Sequence, residues 1–410
     1  MAKTILNTVI AIDPDASTVT FYSMTGNEKS TITTESVSYR ARPFDSEFFE
    51  KFTDILRKYA EKHPSDVAAK VTVVLPNRVI AQDTINVPTI KKLQMNSSVD
   101  VSMERIYKNK ANLKINKFLA AQNKQYSTYS LTMIRSQLLA AIYTACSTSK
   151  MMASTVTFVS NAAVNAAQIL SPKLKNASYL LLDIKEESAH FAFVAKGRTT
   201  GSYSLPFGAS ILRGGKKLAS EDMLFDHSLG ELTVLNAKER AKAKALTVMG
   251  DDSATQVGQA QANDAVDAVD NPDSFEDDTP SIVSTPTAES TNTIKVLPKK
   301  QPRKLPKFML RPTPETEEGY TYENFRIFMK WALSLIQGNK KLTEQGKPET
   351  VVVNMDPEFA FLFDMINAEK EENGLEFQPL ELHNEKPIVW QNLELYGGFF
   401  TNNFNKTNNF

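Results

Sequence analysis

Twice in this chain an apolar run ends on or beside an aspartate and leads into two more strand-forming runs. TVIAID, Thr8 to Asp13, precedes STVTFYSM and STITTESVSYRA; YLLLDI, Tyr179 to Ile184, precedes AHFAFVAKG and TGSYSLPFG. Asp13-Pro14-Asp15-Ala16 separates the first two runs. It is turn chemistry, since Pro presets φ and Asp bonds its own backbone. Short runs rich in Val, Thr, Tyr and Phe between such turns predict strand meanders. Two meanders in one chain predict an α/β protein of two related halves.

Each meander is followed by helix and strand signals. After Pro43, Asp45 or Ser46 is placed to cap a helix that carries Phe48, Phe52, Ile55, Leu56 and Tyr59 on one face. AKVTVVLP then reads as a strand buried on both faces. IRSQLLAAIYTACSTS, STVTFVSN and AAVNAAQIL add helix, strand and helix before Pro172. In the second half YTYENFRIFMKWALSLIQGN predicts a helix with Phe325, Phe328, Met329, Ala332, Leu333 and Ile336 on one side and Gly338 at its end. ETVVVNMDPEF continues as strand, turn and helix, with Asp356 as N-cap, Pro357 in the first turn and Asn373-Gly374 closing the helix.

The chain changes character between Asn77 and Ser130, where a polar, basic stretch, YKNKANLKINKFLAAQNKQ, suggests an inserted subdomain. A second break carries nine acidic residues from Asp251 to Asp278 and no basic residue between Lys244 and Lys295. Such a composition buries too little apolar surface to fold. KVLPKKQPRKLPKFMLRP then reverses the charge among spaced prolines, which favours extended polyproline conformation. It reads as a solvated linker or, alternatively, as a dock for anionic lipid, nucleic acid or an acidic partner. The expected domains are 1–81 with 131–175, an insert at 82–130, and 176–250 with 307–397, with a disordered linker at 251–306 and a flexible tail at 398–410.

Composition narrows the chemistry. The 410 residues hold 47 Lys plus Arg and 47 Asp plus Glu, so no overall field draws the chain to nucleic acid, and no specific binding to it is expected. Cys146, the one cysteine, lies in an apolar helical stretch and reads as core in a reducing compartment. His63, His190, His227 and His383 lack metal-ligand spacing. MAKTILNTVIAIDPD reads as a first core strand and not as a signal peptide, and no apolar run of about 18 residues spans a bilayer. A cytoplasmic location is expected. YGGFFTNNFNKTNNF lacks the rhythm of an amphipathic membrane anchor.

The hairpins carry a resemblance. AIDPDASTVTF is similar to a phosphate hairpin of the type I-D-x-G-x-x-[ST]-V-K, keeping Asp13, Ser17 and Thr18 with Asp15 at the glycine. LLLDIKEESAHFAF is similar to L-x-D-I-G-x-x-x-T, keeping Asp183, with Ser188 for Thr and Lys185 at the glycine. SLPFGAS matches I-P-x-G-G at Leu205, Pro206 and Gly208, and VVVNMDPEF stands where a Gly-rich turn would pack on adenosine, with Asn354 leading it. The chain thus resembles the actin-like superfamily, in particular its bacterial branch of PilM-like pilus-assembly and FtsA-like cell-division proteins. That resemblance implies two domains of duplicated, ribonuclease H-like βββαβα type with a small inserted subdomain.

It also implies a vestigial nucleotide site at Asp13, Asp15, Ser17, Asp183, Lys185, Ser188, Gly208 and Asn354, with no catalytic residue and no metal site. Glycine there would allow φ > 0 and close approach of backbone N–H to phosphate, which a Cβ obstructs. Lys185 could instead meet a phosphate itself. No cofactor is expected. The implied role is a non-catalytic scaffold that binds a membrane protein's cytoplasmic tail, peripheral to the inner face of the membrane, with self-association open. The alternative is a switch that binds ATP with magnesium and polymerises or changes partner affinity.

Overall fold

The computed structural model describes residues 7–14, 17–25, 31–64, 70–89, 92–107, 110–213, 314–338, 348–368, 374–380 and 390–400. The expected linker at 251–306 and the residues from 401 onward lie outside them, as does Asp15.

The first half opens as the meander β1 (Asn7–Asp13), β2 (Thr18–Thr25) and β3 (Thr31–Ser38), antiparallel from β1 to β3. The turn between β1 and β2 puts Ser17 at φ 52°. Helix α1 (Ser46–Lys62) follows, and Asp45 caps it by accepting from the Phe48 amide at 2.7 Å. Its buried face is Phe48, Phe52, Leu56 and Tyr59, with Tyr59 stacked on Phe21 of β2 at 3.8 Å between ring centroids. Burying each of these side chains contributes roughly 1.5–3 kcal/mol, which is what holds the helix on the sheet. Strand β4 (Lys70–Leu75) then pairs parallel with β1.

Next comes a separate sheet: β5 (Ala81–Pro88), α2 (Lys92–Ile106), β6 (Leu113–Gln122) and β7 (Tyr126–Arg135), in strand order β5-β7-β6. It extends past the expected limit at residue 130, because β7 runs unbroken through Arg135 to pair with both neighbours. The chain returns through α3 (Ser136–Thr148), β8 (Ala153–Phe158) and α4 (Val159–Leu170), and β8 pairs parallel with β4. Cys146 is fully buried on α3, and burial pushes its thiol up to about 12, as suits a packing residue.

The second half repeats the pattern. β9 (Tyr179–Ile184), β10 (Ala189–Ala195) and β11 (Arg198–Leu205) form the meander, and α5 (Glu317–Gly338) leads to β12 (Thr350–Asn354), parallel to β9. Helix α5 is buried nearly all round, not on one side as its pattern suggests, and Arg326 and Lys330 go inside with Trp331. Arg326 lies over the Tyr322 ring at 4.9 Å, which lets the charged group keep a favourable contact there. Asp356 does cap the next turn, accepting from the Glu358 amide at 3.2 Å, but Pro357–Phe359 is a 3-10 turn before the short helix α6 (Leu362–Asn367). Strand β13 (Glu376–Pro379) pairs parallel with β12, and α7 (Leu393–Phe399) ends the described chain.

The sheet orders are β3-β2-β1-β4-β8 and β11-β10-β9-β12-β13. Position for position they are the same: a meander, then two parallel strands added on the far side of its first strand. The last helices of the two halves, α4 and α7, pack directly on each other, because Gly397 sits on the Ala162 carbonyl with no room for a Cβ. Gly398 touches Val9 and Val74, so α7 closes over the first sheet. Part of the expected flexible tail is therefore core: Phe399 is buried against Tyr22, their rings 5.3 Å apart. Helix α7 packs on both halves: Leu395 and Phe399 lie with Val9, Tyr22, Val74 and Ala162 of the first, and Leu393 and Tyr396 with Tyr179, Leu181 and Val352 of the second.

Candidate functional site

Strands β9 and β12 run parallel and end side by side, with Asp183 in register with Asn354. Both side chains are about 1 % exposed. Asn354 Nδ2 donates to Asp183 Oδ1 at 2.6 Å and to the Trp390 carbonyl at 2.7 Å. Two residues beyond Asp183, Lys185 reaches across to α7 and donates to Glu394 Oε1 at 2.5 Å. Asp13, at the end of β1, acts electrostatically on the same ammonium. The tertiary fold thus gathers Asp13, Asp183, Lys185 and Asn354 and adds Glu394.

The electrostatics follow from burial. Desolvation pushes the Asp183 carboxyl up to about 7; Lys185 opposes this, Glu394 adds to it, and the Asn354 hydrogen bond opposes it. Desolvation also works against the Lys185 ammonium, but the Glu394 and Asp183 carboxylates outweigh it and hold its pKa above the usual lysine value. His190 on β10 is pushed down to about 3 by burial and by Lys185, and so stays neutral. Its Nδ1 shares a hydrogen bond with Ser204 Oγ at 2.8 Å, and its Nε2 lies 3.4 Å from Ser188 Oγ. Asp183 Oδ2, Asn354 Oδ1 and Glu394 Oε2 are buried and meet no hydrogen-bond partner among the described residues.

The turn at 185–188 uses its backbone internally. The Lys185 amide donates to the Ser188 carbonyl at 2.8 Å, while the Lys185 and Glu186 carbonyls accept from the Ala209 and Ser210 amides at 2.7 and 2.9 Å. A Cβ on Gly208 would lie 2.1 Å from the Lys185 carbonyl oxygen, so glycine is required there by packing within the turn. Lys185 itself does not adopt positive φ. The Ser17 carbonyl accepts from the Tyr39 amide at 2.9 Å. At the rim, Arg213 lies over the Phe359 ring at 5.4 Å and gathers Glu186 at 3.1 Å, Asp356 at 2.5 Å and Glu358. Among the described residues the rim therefore presents more negative than positive charge.

A polar seam joins the halves beside this site. Asn77 Nδ2 donates to Ser160 Oγ at 2.8 Å and Ser204 Oγ at 3.1 Å, Thr199 donates to Asn161 at 3.2 Å, and Ser202 donates to Gln82 of the inserted sheet at 2.6 Å. Sequence reasoning missed Glu394, His190, Asn77 and Arg213. Only Glu394 carried a signal, as a lone charge between Leu393 and Leu395 in a short apolar helix.

The duplicated unit of three antiparallel and two parallel strands, the inserted sheet after β4, and the facing hairpins together define an actin-like fold of ribonuclease H type. No protein-family model matches the sequence, and no curated protein matches it. Among solved structures the chain is similar to the PilM-PilN type IV pilus biogenesis complex, at 12% identity over 97% of this chain and 95% of that one, with a TM-score of 0.46. It is also similar to the ethanolamine utilization protein EutJ from Carboxydothermus hydrogenoformans, at 10% identity over 96% and 89% of the two chains, TM-score 0.35. The cytoplasmic domain of EpsL, an inner-membrane component of the Vibrio cholerae type II secretion system, matches at 11% identity over 50% and 71%, TM-score 0.34. The fold assignment stands on the repeated strand order.

Proposed function

We propose that the protein is a non-catalytic actin-like scaffold that holds a cytoplasmic segment of a partner in an envelope complex for pilus assembly or cell division. The observation that carries this is the largely buried Lys185–Glu394 pair, which occupies the hairpin where the resemblance implies phosphate would bind. A polyphosphate there would have to displace Glu394 and sit beside Asp183. It would also face Glu186, Asp356 and Glu358 at the rim, three carboxylates that share the single Arg213 guanidinium. The amides of Lys185, Ala209 and Ser210 already have partners within the turn. With these donors committed, function passes to surfaces.

The partner class comes from the PilM-like resemblance of the hairpins, and the segment is assigned to the groove between the first sheet and the inserted sheet. No described helix is long and apolar enough to cross a membrane, so in this reading contact with the membrane runs through the partner.

Two measurements test the reading. Isothermal titration with Mg-ATP is expected to show no binding at about 1 mM, the level at which an interaction is worth about 4 kcal/mol. A tighter site would replace the scaffold with the ATP-dependent switch. Capture of a partner from a solubilised membrane fraction is expected to be lost when residues 82–134 are replaced by a short Gly-Ser linker. Undiminished capture would move the partner site off the insert.

A further inference from the structure

Helix α7 meets the second hairpin through charge. Glu394, in its first turn and 6 % exposed, accepts from Lys185, while Leu395 and Phe399 pack with Val9 and Val74 of the first sheet and Leu393 and Tyr396 with Tyr179, Leu181 and Val352 of the second. Five elements present groups here: Asp183 at the end of β9 with Lys185 beyond it, Asn354 on β12, His190 on β10, Glu394 on α7 and Asp13 on β1. Tyr22 of β2 faces Glu394 and Tyr396.

With Asp183 neutral, Lys185 and Glu394 form a pair of zero net charge. With Asp183 ionised, two buried carboxylates compete for one ammonium, and three buried oxygens, Asp183 Oδ2, Asn354 Oδ1 and Glu394 Oε2, accept from nothing among the described residues. An unpaired charge and unmet acceptors in such a site both destabilise it. A proton on Asp183 Oδ2 removes the excess charge and turns one of the three acceptors into a donor.

We propose that this proton is a latch: while Asp183 carries it, α7 stays docked between the halves, and its loss loosens the C-terminal helix from the second hairpin. Asp183, pushed up to about 7 chiefly by burial, is the group placed to titrate near neutrality. Lys185 stays charged, and His190 and Tyr22, at about 3 and about 12, stay neutral. The sign follows from linkage. Where docking raises this carboxyl's pKa, the docking stability it contributes is complete below its pKa in the undocked protein and is lost as pH rises through about 7.

The inference rests on these groups pairing with one another, and it is tested without nucleotide, so the titration with Mg-ATP can fail separately. Hydrogen exchange of the amides of 393–400, normalised to the intrinsic rate, is to be compared at pH 5.5 and pH 8. Protection in the wild-type protein is expected to fall about tenfold, the effect of one pKa unit of coupling, and in Asp183→Asn to stay within about twofold. An equal fall in both proteins, or no fall in the wild type, overturns the latch. A second readout needs no variant: with isotope-labelled aspartate, the infrared band of a protonated carboxyl is expected at pH 5.5 and not at pH 8. Ordinary aspartates are ionised at both values, so a missing band at pH 5.5 also overturns it.

Discussion

Replacing Glu394 by alanine is expected to destabilise the protein by about 1.5–3 kcal/mol, the usual worth of a hydrogen bond between charged groups, because Lys185 keeps Asp183 as a counter-charge. Lys185 would remain where the hairpin places it, largely buried, with Asp183 as its nearest counter-charge. The same pair replaced as a unit, Lys185→Met with Glu394→Leu, is expected to recover most of that loss, because matched apolar groups need no charge partner. Thermal midpoints by calorimetry check both. A Glu394→Ala midpoint equal to wild type would mean that the pair is solvated and that the hairpin is open to phosphate.

Gly397→Ala is the second large effect. Its Cβ would lie 1.8 Å from the Ala162 carbonyl oxygen and 2.7 Å from that carbonyl carbon, and backbone in α4 cannot swing aside as a long side chain can. Helix α7 must then lift, exposing Leu395, Tyr396 and Phe399, each worth roughly 1.5–3 kcal/mol when fully buried. Limited proteolysis is expected to cut within 393–400 in the variant and to spare the wild type. Gly338→Ala is the control, since nothing among the described residues lies within 4 Å of its added Cβ. That change should be neutral or stabilise by up to about 1 kcal/mol, through the lower entropy of the unfolded chain. Equal resistance of Gly397→Ala and wild type to protease would show that α7 is not held by this contact.

Much of the fold was legible because its signals are local. The two meanders follow from strand-forming runs between turns, and the capped helix α1 from Asp45 and the spacing of Phe48, Phe52 and Leu56. The inserted sheet was visible as a change in composition, but its end was not, since β7 shows no break where residue 130 falls. The environment of α5 was misjudged for a related reason. A stripe of aromatic residues reports the face that must be buried and says nothing about what covers the opposite one.

The site divides in the same way. Asp183 and the lysine standing where a glycine was expected could be read directly, and so could the likeness of the two hairpins. Glu394 could not be tied to them, because 209 residues separate it from Lys185. By itself the sequence determined that two similar α/β units form, that each ends a central strand near an aspartate, and that the second hairpin carries a cation where backbone N–H groups would otherwise approach a phosphate. Only the tertiary structure decided what that cation meets. Alternation, caps and turns act within a few residues, whereas a buried charge must find its partner wherever the packing of α7 on α4 brings one within reach.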